Sequence, residues 1–108
     1  MDPDKPNIQV SDVVVSTAGR DKDQWFYVIA VEKEYLLLCD GKGRTLEKPK
    51  RKKRKHVQKV LRSETRVAAK LLSGDKVLNS ELRRDLAFLA KANASEYPGR
   101  VITWLRTT

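Results

Sequence analysis

The chain has 108 residues, with 23 Lys+Arg against 14 Asp+Glu and a formal charge of +9; 40% of residues are hydrophobic and 34% charged. That length gives one ordinary domain with a modest core, and excludes a cofactor domain beside a substrate domain. The longest apolar run, residues 25–31, is far below the ~20 residues of a membrane-crossing helix, so no membrane partner is expected. The start, Met1-Asp2-Pro3-Asp4, lacks a basic and apolar leader, and the single Cys39 excludes a disulfide framework; both point to a reducing, cytoplasmic setting.

In chain order, residues 1–9 are polar and broken by Pro3 and Pro6, which predicts a loose tail. Val13-Val14-Val15 is β-branched and ends at Ala18-Gly19, a strand and a turn. Trp25-Phe26-Tyr27-Val28-Ile29-Ala30-Val31 is the strongest strand signal, and Lys33-Glu34 a hairpin turn. Tyr35-Leu36-Leu37-Leu38-Cys39 returns, followed by the turn residues Asp40-Gly41-Lys42-Gly43. Arg44-Thr45-Leu46-Glu47 predicts a brief fourth strand stopped by Pro49, and residues 56–61 a fifth. Five short, closely spaced strands suggest a small barrel over residues 10–62. Residues 25–31 and 36–39 are apolar on both faces, whereas a half-exposed strand alternates, so part of the outer surface must be covered.

The C-terminal third supplies the cover. Ser63 reads as an N-cap, Val67, Ala68, Leu71 and Leu72 as a helical stripe, and Gly74 as its stop. Asn79 reads as a second cap, with Leu78, Leu82, Leu86 and Leu89 at helical spacing. Two such short helices need a surface to pack on, so residues 63–93 are expected to dock on the barrel. The extension 94–108 breaks at Pro98-Gly99 and then turns apolar, compatible with an edge strand or a short helix. The expected fold class is mainly β with α, a small barrel followed by two helices packed on it.

The charge sits in one place. Residues 44–62 hold ten basic side chains and one acid, Glu47, a surplus of nine that equals the whole net charge. Residues 48–55 have seven cations in eight positions: Lys48, Lys50, Arg51, Lys52, Lys53, Arg54 and Lys55. Like charges at this density call for a polyanion or solvent, and bind phosphate without a base code. A solvated loop and an import signal are the competing readings of such a run.

No catalytic set emerges. His56, the one histidine, lies inside the basic run and Cys39 in an apolar strand; with no CxxC there is no zinc set. Asp21 and Asp23, flanked by Arg20 and Lys22, fit a turn better than paired catalytic carboxylates, and Gly41 and Gly43 do not open a helix. No enzyme, cofactor, metal or small-molecule substrate is expected. Trp25, Phe26 and Tyr27 beside so many cations could stack on bases, but consecutive strand residues alternate in direction and core packing is the simpler role.

The residues 13–22, Val-Val-Val-Ser-Thr-Ala-Gly-Arg-Asp-Lys, followed by an aromatic and aliphatic strand, resemble the opening of a KOW domain. Tyr35-Leu36-Leu37-Leu38-Cys39-Asp40-Gly41, Arg44-Thr45-Leu46-Glu47-Lys48-Pro49-Lys50 and Lys55-His56-Val57-Gln58 continue the likeness. So do Leu71-Leu72-Ser73-Gly74-Asp75-Lys76-Val77 and Asn79-Ser80-Glu81-Leu82-Arg83. The form resembled, over about residues 10–92, is the e-type large-subunit ribosomal protein fourteen family and its small bacterial relatives. The resemblance implies an SH3-like (KOW) barrel that binds structured RNA, in or near the ribosome, through the 19–22 loop and the 48–56 segment. The RNA-contacting residues it implies, together with the charge pattern, are Arg20, Lys22, Arg44, Lys48, Lys50, Arg51, Lys52, Lys53, Arg54, Lys55, His56 and Lys59. The family has Gly after the Asp-Lys pair; here Asp23 stands there. Ribosomal or transcription proteins are further partners implied by the resemblance, since KOW domains also serve as protein-interaction and transcription-elongation modules. Double-stranded DNA is a further ligand that the charge allows.

Overall fold

The computed structural model describes residues 7–93. Residues 1–6 of the expected tail, and all of the 94–108 extension, lie outside the described residues. Five strands form one antiparallel sheet: β1 (Asp12–Ser16), β2 (Trp25–Val31), β3 (Tyr35–Cys39), β4 (Lys50–Lys53) and β5 (Val57–Arg62). The order is β4-β3-β2-β1-β5, a meander in which the last strand returns to pair with the first. A 3₁₀ turn, Arg54–His56, joins β4 to β5. Two helices follow, α1 (Arg66–Ser73) and α2 (Asn79–Ala92).

The sheet is strongly rolled. In a flat sheet β4 would lie three strand spacings from β1, about 14 Å. Yet the Lys52 ammonium of β4 reaches the Ala18 carbonyl and the Asp21 carboxylate, both 2.6 Å away, in the loop that leaves β1. Bulges in the β2–β3 ladder between Val28 and Ala30, and in the β1–β5 ladder between Val13 and Val14, supply bend and twist. Among the described residues no ladder joins β4 to β5, so the sheet is not closed.

Alternation along the strands builds two cores. Val14, Phe26, Val28, Leu36 and Leu38 form the inner one, together with Ile8. Val13, Val15, Trp25, Tyr27 and Cys39 face the other way, against Val67, Ala68, Leu82, Leu86, Leu89 and Ala90 of the helices. The two-faced apolar pattern expected over 25–31 and 36–39 thus has its cover at Trp25, Tyr27 and Cys39. Fully burying a leucine such as Leu82 or Leu86 contributes about 1.5–3 kcal/mol. Ile8, expected in the loose tail, is buried in the inner core.

Polar groups at the sheet–helix interface are satisfied jointly. The Tyr27 hydroxyl on β2 donates to Asp85 of α2, and lies 2.7 Å from the Ser63 hydroxyl. Thr65 donates to the same Asp85 oxygen at 2.8 Å, while its hydroxyl oxygen accepts the Ala68 amide as the α1 N-cap. Burial, and then the hydrogen bond to Asp85, pushes the Tyr27 phenol well above its ordinary pKa.

Three local expectations differ. The fourth strand is not 44–47, where only Thr45 and Lys48 form an isolated bridge; it is Lys50–Lys53, inside the basic run itself. Pairing to β3 overrides the poor strand propensity of lysine. The α1 cap is Thr65, because Ser63 is drawn under the helix by Tyr27. Asn79 lies one residue inside α2, and its side chain accepts the Leu46 amide at 2.8 Å and holds Glu47.

Gly41 permits a close approach between the β3–β4 connection and α2. It adopts φ +78°, and a Cβ there would run into the Asn79 carbonyl at the start of α2. Its own carbonyl accepts from Arg83 at 2.9 Å. Gly41→Ala is expected to cost about 2–4 kcal/mol through left-handed strain and displacement of α2. Gly43→Ala, with nothing within 4 Å of the new methyl, is expected to stay within about 0.5 kcal/mol. Urea unfolding of the two variants checks the contrast.

Candidate nucleic-acid interface

The basic segment is a strand, a turn and a strand rather than a loop. Along β4, side chains alternate: Lys50 and Lys52 lie on the face of Leu38 and Leu36, their ladder partners, and Arg51 and Lys53 on the opposite face. The inward pair is held by one carboxylate. Lys52 is buried and lies 2.6 Å from Asp21 Oδ1; Lys50 lies 3.0 Å from Asp21 Oδ2. The Ser16 hydroxyl donates to the same carboxylate at 2.7 Å. Burial alone would raise the Asp21 pKa, but the hydrogen bonds from Lys52, Ser16 and Lys50 outweigh it and bring the value down to about 2.

Outward, Arg51 lies with its guanidinium 3.7 Å from the Tyr35 ring centroid and donates to Glu32 at 2.8 Å. Lys53 and Lys55 are exposed, Arg54 and His56 partly buried. The Thr17 amide donates to the His56 carbonyl at 2.9 Å, which lays the β1–β2 loop with exposed Arg20 and Lys22 against this corner. The β1–β2 loop that carries Arg20 and Lys22 is therefore tied at Thr17 to the turn that carries Arg54, Lys55 and His56. Among the described residues, Arg20, Lys22, Lys53, Arg54 and Lys55 have no acidic partner within ion-pair distance.

Arg44 and Lys48 form a second group in the β3–β4 connection. Asp40 Oδ1 accepts the amides of Lys42 and Arg44, each at 2.9 Å, and Asn79 anchors the connection to α2. Lys59 on β5 belongs to neither group: it pairs with the buried Asp12 at 3.2 Å. Of the twelve residues expected to contact RNA, Lys50, Arg51, Lys52 and Lys59 are thus already engaged with acids of the protein.

The loop sequence has a conformational reason. Asp23 adopts φ +74°, and its amide donates to the Ser16 carbonyl at 2.8 Å, closing the turn begun by Gly19 at φ +86°. Aspartate is among the few residues other than glycine that visit this left-handed region readily.

Trp25, Phe26 and Tyr27 are all buried, the core role. Tyr35 is the aromatic that meets a cation at the surface, and its spacing from Arg51 carried no signal before the β3–β4 register was known. Cys39 is buried, donates to the Thr45 carbonyl, and has its thiol pKa pushed up to about 12 by burial. Among the described residues, no three His, Cys, Asp or Glu side chains are grouped to hold a metal, and no helix is long and apolar enough to cross a membrane. No family model and no curated protein sequence matches the chain.

The Asp21 cluster gives a pH signature. Its folded pKa lies below the unfolded value near 4, so its stabilisation is complete above about pH 4 and is lost as pH falls toward about 2. Asp21→Asn, which leaves Lys52 buried without its counter-charge, is expected to cost about 2 kcal/mol at pH 7 and to flatten the acid limb. Denaturation midpoints of both proteins between about pH 2 and pH 7 check this.

Proposed function

We propose that this is a non-catalytic RNA-binding protein of the KOW type, with an SH3-like barrel, ribosomal or ribosome-associated, that holds structured RNA by its backbone. The observation that carries the reading is the ordered cationic corner: Lys53, Arg54 and Lys55, without acidic partners among the described residues, at a turn to which the loop carrying Arg20 and Lys22 is tied through Thr17. Fixed cations on a rigid edge match a fixed array of phosphates with little ordering cost. The SH3-like reading is supported by a five-stranded meander whose last strand pairs with the first after a 3₁₀ turn. The KOW reading is supported by the left-handed turn at Asp23, which keeps the conformation for which the family pattern uses glycine. Recognition is by shape and backbone contact, as in most binding of double-stranded RNA.

A second reading, a protein-interaction module, is favoured by Leu72 and Phe88, which are 60% and 62% exposed on the helices. Charge reversal separates the two, because Lys53 and Lys55 make no ion pair within the described residues.

Titration against ribosomal RNA fragments over about 50–200 mM salt is expected to give a slope corresponding to roughly 4–7 phosphate contacts. Lys53→Ala with Lys55→Ala lowers that contact number by about two, and reversal of both to Glu abolishes measurable binding with the circular dichroism spectrum unchanged. A flat dependence of log K on log salt would falsify the RNA reading. Capture of a protein partner that survives the reversal would favour the second reading.

A further inference from the structure

The outer face of β3 is only partly covered. Leu36 and Leu38 enter the inner core, and Cys39 is buried under the helices, but Tyr35 and Leu37 belong to neither cluster and are half-buried. Across the ladder Arg51 stands opposite Leu37 and Lys53 opposite Tyr35, so this open strip is rimmed by cations. Arg51 lies over Tyr35 at the diagonal position, 57% exposed at its side chain, with Glu32 fixing its Nε.

We infer that this strip is a stacking site for one unpaired nucleobase, received on the open face of the Arg51 guanidinium; the inference rests on the RNA reading above. Glu32 sets the role of Arg51 apart from that of its neighbours. A phosphate approaching Arg51 meets a carboxylate 2.8 Å from the guanidinium, so the net attraction is largely cancelled. A nucleobase carries no charge and meets a planar cation already held flat on an aromatic ring, with its side-chain ordering complete before binding. Lys53 on the same face and exposed Lys55 just beyond it pair with no acid among the described residues and are the cations available to the flanking phosphates of that nucleotide. The site takes a base from a bulge or loop beside a helical segment, which the corner cations hold by its backbone.

The test uses two RNA hairpins of equal length, one fully paired and one with a single bulged 2-aminopurine, titrated against the full chain and its Arg51→Lys variant. Lysine keeps the charge and removes the plane. The wild type is expected to bind the bulged hairpin about tenfold more tightly and to quench its fluorescence. Arg51→Lys should lose the preference and the quenching, while its affinity for the paired hairpin and its salt slope stay unchanged. If the wild type binds both hairpins equally with a steep salt slope, or if Arg51→Lys keeps the preference, the stacking site is wrong and the RNA reading stands. If the wild type binds neither hairpin, the RNA reading itself fails and this inference falls with it.

Discussion

A single buried carboxylate, Asp21, sets both the shape of the sheet and the use of its charges. It stands in the β1–β2 loop, yet its partners Lys50 and Lys52 come from β4, at the far edge of the sheet in strand order. An acid in this position without cations would be strongly disfavoured, and so would a buried Lys52 without the acid. Satisfying both requires the sheet to roll until β4 reaches the loop after β1. The same contact turns two lysines of the basic run inward, where charged side chains on an edge strand also discourage pairing with another chain. What remains outside is a narrower set of cations than the sequence displays.

The second constraint comes from strands with no polar face. Val13, Val15, Trp25 and Tyr27 would present a continuous apolar surface to water if the chain ended after β5. The helices remove that surface, and their placement is fixed by polar anchors at the start and in the middle of α2. Asn79 holds the Leu46 amide near the start of the helix, and Asp85, a turn and a half later, collects the hydroxyls of Tyr27 and Thr65. Gly41 lets the helix start sit against the β3–β4 connection. The helices therefore also brace the connection that carries Arg44 and Lys48, one of the two cation groups.

How much of this the sequence disclosed follows from where each signal resides. β2 and β3 were legible because aromatic and β-branched or leucine runs between turn residues are local features. The helices were legible from leucine spacing and Gly74, and their docking from the missing alternation. β4 was not legible: Lys50-Arg51-Lys52-Lys53 has no apolar periodicity, and its strand character comes from the ladder to β3 and from Asp21, contacts distant in sequence. The caps were misread by a residue or two, because Ser63, Thr65 and Asn79 are all suitable caps and only the tertiary position of Tyr27 and Leu46 decides among them. The position of the charge was legible; which cations were engaged was not, since Asp12, Asp21 and Glu32 meet their partners only across strands. Tyr35 went unnoticed for the same reason.

The geometry of the remaining cations bears on the kind of ligand. Arg44 and Lys48 lie before β4, and Lys53, Arg54 and Lys55 at its end and beyond. A four-residue strand separates the two groups by about 13 Å along its axis. No single phosphate or carboxylate spans that distance, and a small anionic molecule would engage one group and leave the other unsatisfied. A flexible acidic peptide could reach both, but it would lose conformational entropy along the whole span. A folded nucleic acid carries its phosphates at fixed intervals and has already lost most of that freedom. On the RNA reading proposed above, β4, held by Asp21 on its inner face and by the Arg51–Tyr35 contact on its outer face, matches a partner that is itself rigid. The two structural devices in the basic run are thus compatible with the ligand class proposed from its charge.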